Sequence, residues 1–165
     1  LVRFREYATK GKAVRYFFSD ACRHCLDPPC KEEADTYVKG AIVIDQTGAV
    51  IYTEKTKELG KNAKNVIEAC PFNIPRIDSE TGMLAKCHMC YMRIEAGIEP
   101  ICAKTCPTSA INFGNEVTIR KLSRERFSAA KKKFGDEARL IYPDEVRVIY
   151  LVATDPEKYH EYATY

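Results

Sequence analysis

Apolar positions along the chain fall into short β-type runs separated by turn chemistry, with one long stretch of helical period. Val14 to Phe18 is a β-branched and aromatic run that reads as a strand leading into the first cysteine loop. Ala41 to Ile44 and Ala49 to Tyr52 are two further runs of this kind. Asp45-Gln-Thr-Gly48 between them is turn chemistry, which predicts a hairpin over residues 41–53. Lys55 to Ala69 is polar with spaced apolar residues and predicts a helix entering Cys70-Pro71. Asn73 to Leu84, punctuated by Pro75 and Gly82, reads as a loop. Glu116 to Phe134 sets Ile119, Leu122, Phe127, Ala130 and Phe134 near helical spacing, with Arg and Lys residues on a solvated outer face. Val146 to Val152 predicts a strand. The polar, tyrosine-rich tail to Tyr165 has no periodicity that would bury it, so it is expected either to wrap over a partner or to fray.

The longest apolar runs, Ala41 to Ile44 and Val148 to Ala153, are far too short to cross a bilayer. With 45% hydrophobic and 30% charged residues in 165, the balance is that of a soluble globular chain, not a disordered one. The formal charge of +3 is poor ground for nucleic-acid binding once the eight cysteines are counted, because each cubane iron–sulfur core that four thiolates can hold contributes roughly −2. Loaded with two such cores the chain would be close to neutral.

The eight cysteines change the picture most: Cys22, Cys25, Cys30, Cys70, Cys87, Cys90, Cys102 and Cys106. Two Cys-x-x-Cys pairs and two Cys-Pro steps argue against disulfides, since close pairs in one turn present thiolates convergently to a metal core. The first group, Cys22-Arg-His-Cys25-Leu-Asp-Pro-Pro-Cys30, is a stretched form of the bacterial ferredoxin run C-x2-C-x2-C-x3-C-P. In that run three cysteines hold one cluster and the fourth serves another. Here the expected fourth position is Ala34. Cys70-Pro71 has the opposite defect, because the positions that would form its triad are Gly60, Ala63 and Val66. The two losses are complementary, so Cys22, Cys25, Cys30 and Cys70 are assigned to one cluster.

The second group is Cys87-His-Met-Cys90 followed, after an insertion, by Cys102-Ala-Lys-Thr-Cys106-Pro107. The crossing rule makes Cys87, Cys90 and Cys102 a second triad, with its fourth ligand upstream. Cys106 then serves a third cluster or completes the second. The sequence opens on Leu1, not Met, and a further cysteine run before it is expected to supply the missing ligands. A four-cysteine zinc site is the competing reading, which would make the chain a zinc-stabilised binding module. His24 and His88 read as loop residues. Arg23, Lys86, Arg93 and Lys104 lie close to ligands in sequence, where positive charge would favour a reduced cluster and raise its potential, unless they are ordinary surface charges. Asp27, Glu32 and Glu33 read as surface acids. No phosphate loop, dinucleotide turn, zincin helix or nucleophile elbow is visible, which fits an electron carrier without catalytic residues of its own.

The stretches from Cys22 to Lys31, Glu68 to Ser79 and Lys86 to Asn115, with the ending Asp144 to Thr164, resemble the iron–sulfur subunits paired with molybdopterin oxidoreductases. Among these they most resemble the beta subunit of molybdenum- or tungsten-dependent formate dehydrogenases. The resemblance implies an α+β fold of two ferredoxin-like [4Fe-4S] modules with a β-hairpin insertion. Residues 1–80 would carry the complete cluster, residues 81–115 a second module that needs the upstream segment, and residues 116–165 a helix, strand and docking tail. It further implies a molybdopterin-containing alpha subunit as donor and a cytochrome or ferredoxin-type carrier as acceptor, with formate chemistry left to the partner. The equivalent relay subunit of another molybdopterin oxidoreductase or of a hydrogenase is the alternative. The membrane-bound branch adds a transmembrane helix that this tail lacks. Family catalytic subunits often carry a twin-arginine signal, so a periplasmic location is expected, with the cytoplasm as alternative.

Overall fold

A hairpin of two eight-residue strands opens the chain: β1 (Val2–Thr9) pairs antiparallel with β2 (Lys12–Ser19), joined through Gly11 at φ 74°. The computed structural model describes residues 2–9 and 11–165, so Leu1, where the first module was expected to begin, lies outside the described residues. Only the Val14–Phe18 half of this hairpin was expected. In β1 apolar and charged residues alternate, and the charges found partners: Arg3 Nε donates to Asp20 Oδ2 at 2.6 Å and Arg5 Nη1 to the Glu157 carbonyl at 3.2 Å.

Pro29 opens α1 (Pro29–Asp35), with Cys30 and Ala34 one turn apart on its buried face. The alanine where a ferredoxin run would carry cysteine is thus a core residue. The expected hairpin is present as β3 (Ile42–Ile44) and β4 (Val50–Tyr52). Asp45 closes its turn by accepting from the Thr47 amide at 2.8 Å and hydroxyl at 2.6 Å. Gly48, at φ 82°, leaves room for the Arg147 side chain, which a Cβ there would strike.

The helix expected over Lys55–Ala69 is two pieces. A 3-10 stretch (Glu54–Asn62) breaks at Gly60 (φ 50°, ψ −122°), and α2 (Ala63–Glu68) follows. The expected loop contains a short pair, β5 (Arg76–Ile77) with β6 (Leu84–Ala85). Cys30, Ala34, Ile42, Val50, Leu59, Ala63, Val66 and Leu84 pack into one core. Two short helices, α3 (Tyr91–Glu95) and α4 (Ile101–Lys104), follow. Then comes α5 (Glu116–Phe134), capped by Asn115, which accepts from the Thr118 amide at 2.9 Å, and ended by Gly135 at φ 73°. Among the described residues no helix is long and apolar enough to cross a membrane.

The strand expected over Val146–Val152 is shorter. β8 (Tyr150–Val152) pairs with an unforeseen β7 (Arg139–Ile141). Residues 145–148 bind the first cysteine loop instead: the Val148 amide donates to Arg23 O at 2.9 Å and the Leu26 amide to Glu145 O at 2.9 Å. The tail neither frays nor projects. Ala163 and His160 are buried, His160 lies edge-on to Phe18, and Tyr165 stacks on Tyr142 with centroids 4.4 Å apart. Phe18, Ile141, Val152 and Ala163 form this second core. The tyrosines supply what the linear pattern hid: Tyr142, Tyr150 and Tyr159 are partly buried against this core, and their hydroxyls reach Tyr165 O, Ser19 O and the Ala153 amide.

Arg23 ties the second core to the cysteine loop. Its guanidinium carbon lies 4.1 Å from the Tyr150 centroid, 4.9 Å from Phe72 and 5.1 Å from Phe18. It faces Asp20 at 3.4 Å, and Asp20 also receives Arg3. Replacing Asp20 by Ala would leave this charge buried beside a lost counter-ion, so chemical unfolding of Asp20→Ala should show a loss of about 3–5 kcal/mol. Burial holds the His160 pKa below the ordinary 6.5, so the folded chain protonates it later than the unfolded chain does. The stability it contributes is complete above the unfolded pKa and is lost as pH falls through the folded one. The protection factors of amides in residues 159–165 should therefore fall on acidification below about pH 6.5, and His160→Gln should flatten that dependence.

Candidate metal centre

The first cysteine loop is shaped by a left-handed residue in its Cys-x-x-Cys turn. His24 sits at φ 48°, which turns its amide onto the Cys22 sulfur at 3.4 Å. A non-glycine residue in this region is strained, and the surroundings hold it there. The imidazole is fully buried, and its Nδ1 accepts from the Val50 amide at 2.9 Å. Burial first, then the Lys86 and Arg147 charges, push its pKa down to about 3. His24 is therefore a neutral pillar between the loop and β4. Arg147 closes the loop from outside by donating to Cys25 O at 2.9 Å.

Cys30 enters from the first turn of α1, and Cys70 from the end of α2, where Pro71 turns the chain away. Cys22, Cys25, Cys30 and Cys70 line one cavity of about 350 Å³, its mouth included, together with Tyr52 and Lys86 among others. Its wall is almost wholly apolar, built largely from Val50, Ile74 and prolines. Burial pushes the Cys22 thiol up to about 12 and Cys25 to about 11, and the neighbouring cysteines add to both shifts; Cys30 is also raised by burial. Such a cavity holds neutral thiols unless a cationic core enters, so metal binding and deprotonation are one event.

The donor set fits a polynuclear iron–sulfur core. Four thiols ring a space, whereas a single ion needs its ligands to converge on a point. Among the described residues no three Cys, His, Asp or Glu side chains form a single-ion site.

The second group repeats the device. Met89 and Cys90 sit at φ 58° and 52°, and the Met89 amide points at the Cys87 sulfur at 3.4 Å. Cys102 stands in the first turn of α4 behind Pro100, as Cys30 stands in α1 behind Pro28 and Pro29. Its thiol is raised by burial, with Cys87 and Cys90 contributing. Arg93 closes the insertion by donating to Glu99 O at 3.0 Å. Cys106 has different company. Backbone amides of Ile111, Ala110 and Thr108 and the Thr108 hydroxyl surround its sulfur and pull its pKa down to about 7.

Of the four cations near ligands in sequence, Arg23 is buried in an aromatic cage, Arg93 is spent on the insertion and Lys104 is exposed. Lys86 alone among them reaches the four-cysteine wall without being buried in rings. Tyr52 was missed as a cavity residue. The period-two alternation of β4, which puts Val50 and Tyr52 on one face, was the signal that would have found it.

A family model described as 4Fe-4S dicluster domain matches residues 13–116. The chain is 47% identical over 166 residues to the protein named formate dehydrogenase 2 subunit beta (cytochrome c-553) of Nitratidesulfovibrio vulgaris, covering 99% of this chain and 75% of that one. It is 44% identical to the formate dehydrogenase subunit beta of Megalodesulfovibrio gigas, with the same shares covered. It is 34% identical to the iron–sulfur subunit of the nitrate-inducible formate dehydrogenase of Escherichia coli, covering 97% of this chain and 54% of that protein.

In the metal-free chain, Cys106 should be the fastest thiol to react with iodoacetamide. Mass spectrometry should show half-maximal rate near pH 7, with Cys22 unmodified throughout the neutral range.

Proposed function

Because the chain belongs to the 4Fe-4S dicluster domain family and to the formate dehydrogenase iron–sulfur subunits within it, we propose that its cysteine-lined cavity is one station of an electron relay between a catalytic alpha subunit and an external acceptor. The observation that carries this reading is the meeting of Cys70 with Cys22, Cys25 and Cys30 around one cavity, from positions 40 or more residues apart in the chain. When bound, a [4Fe-4S] cluster supplies one-electron redox chemistry at a potential set by charge, hydrogen bonds and burial. The chain is the electron-transfer component of the complex and not its catalytic subunit.

In this reading Cys22, Cys25, Cys30 and Cys70 hold one cluster, while Cys87, Cys90 and Cys102 hold a second. Cys106 closes the second or serves a third. The repeated left-handed turn, the amide-to-sulfur contact and the proline-led helix behind each third cysteine support a two-module arrangement. The chain's own work is structural and electrostatic. The apolar wall excludes water, the His24 and Met89 amides aim at thiolate sulfurs, and residues 145–148 fix the first loop so that its geometry changes little when charge does.

The partner is proposed to be a molybdopterin-containing alpha subunit, on the strength of the family. A cytochrome is the proposed acceptor, supported by the cytochrome c-553 in the name of the Nitratidesulfovibrio relative. The periplasm is the proposed compartment, supported by the family resemblance.

The test is electron flow through the assembled complex. Cys70→Ala should lower formate-dependent reduction of the acceptor at least about tenfold while formate oxidation by the catalytic subunit with an artificial dye persists. The isolated chain should not oxidise formate. Undiminished flow through Cys70→Ala would contradict the relay.

A further inference from the structure

Lys86 follows β6 and precedes Cys87, so it stands where the first cysteine group gives way to the second. Its ammonium donates to the Val50 carbonyl on β4 and, at 2.9 Å, to the Cys87 carbonyl. It also lies 4.7 Å from the centroid of the Tyr52 ring. The side chain forms part of the wall ringed by Cys22, Cys25, Cys30 and Cys70. No carboxylate pairs with Lys86 among the described residues. The Tyr52 hydroxyl is buried beside the Cys30 thiol.

An ordinary surface lysine swings freely in water, where screening removes most of its effect. Lys86 does not. Two carbonyls and a ring face hold its charge against an apolar cavity, and no carboxylate among the described residues pairs with it. Reduction adds one electron to that cavity and makes or breaks no bond, so a fixed cation there favours the reduced state.

We propose that Lys86 is a positioning residue whose tethered ammonium raises the reduction potential of the cluster held by Cys22, Cys25, Cys30 and Cys70. Tyr52 acts with it by presenting the ring face that keeps the ammonium at the wall. The inference rests on the ligand assignment above and goes beyond it by naming what sets the potential of that station.

The test is a redox titration of the intact complex followed by electron paramagnetic resonance, with the signal lost in Cys70→Ala marking the cluster in question. Lys86→Met should retain wild-type iron content and shift the oxidised-to-reduced ratio at a fixed ambient potential about tenfold towards oxidised, which is about 59 mV for one electron. Lys86→Arg, which keeps the charge, should stay close to the wild-type ratio. An assembled cluster with an unmoved potential in Lys86→Met overturns the proposal and leaves the ligand assignment intact. Absence of any signal that depends on Cys70 overturns both. Should Lys86→Met lose iron, Lys86→Gln provides the same comparison. Loss of iron from both uncharged variants makes Lys86 a structural clamp and overturns its role in setting the potential.

Discussion

Four thiols in a dry cavity cannot all ionise unless something positive sits among them. Every other feature of the first half of the chain follows from that constraint. The apolar wall pushes Cys22 to about 12 and Cys25 to about 11, so these thiols are neutral when the site is empty and give up their protons only to a cationic core. A flexible loop would relieve the strain by opening to water. Here α1, α2, the β3–β4 hairpin and residues 145–148 close on the cysteines from separate directions, and His24 and Arg147 bolt the loop to two of them.

The C-terminal part takes on a role that its sequence hides. Its strand is short because Glu145, Arg147 and Val148 give their backbone groups to the cysteine loop in place of a sheet. The tail then lays His160, Ala163 and Tyr165 over Phe18, Tyr142 and Phe72. Arg23 joins these halves: its backbone carbonyl accepts from residues 147 and 148, while its side chain is enclosed by rings from β2, β8 and the segment after Cys70. An electron carrier benefits from such rigidity, since a site that moves little on gaining charge needs little reorganisation.

The gathering of Cys22, Cys25, Cys30 and Cys70 at one cavity was legible because cysteine spacing is local and the ferredoxin run says which position is missing. Ala34 and Cys70 marked complementary gaps before any fold was known. The β3–β4 hairpin and α5 were legible too, since each carries its own turn or cap chemistry in Asp45, Gly48, Asn115 and Gly135. What escaped was set by partners distant in sequence. β1 escaped because its alternation is written in arginines that only Asp20 and Glu157 make affordable. The docked tail escaped because tyrosine rings spaced without period pack on residues far upstream. The helix break at Gly60 and the cavity role of Tyr52 needed the backbone itself.

The most direct check of the gathered thiols is anomalous diffraction at the iron edge from anaerobically grown crystals of the iron-loaded protein. The account requires a compact group of iron peaks inside the cavity, with the sulfurs of Cys22, Cys25, Cys30 and Cys70 each bonded to it. A lone ion there, or iron bound with the Cys70 sulfur turned away, would contradict it.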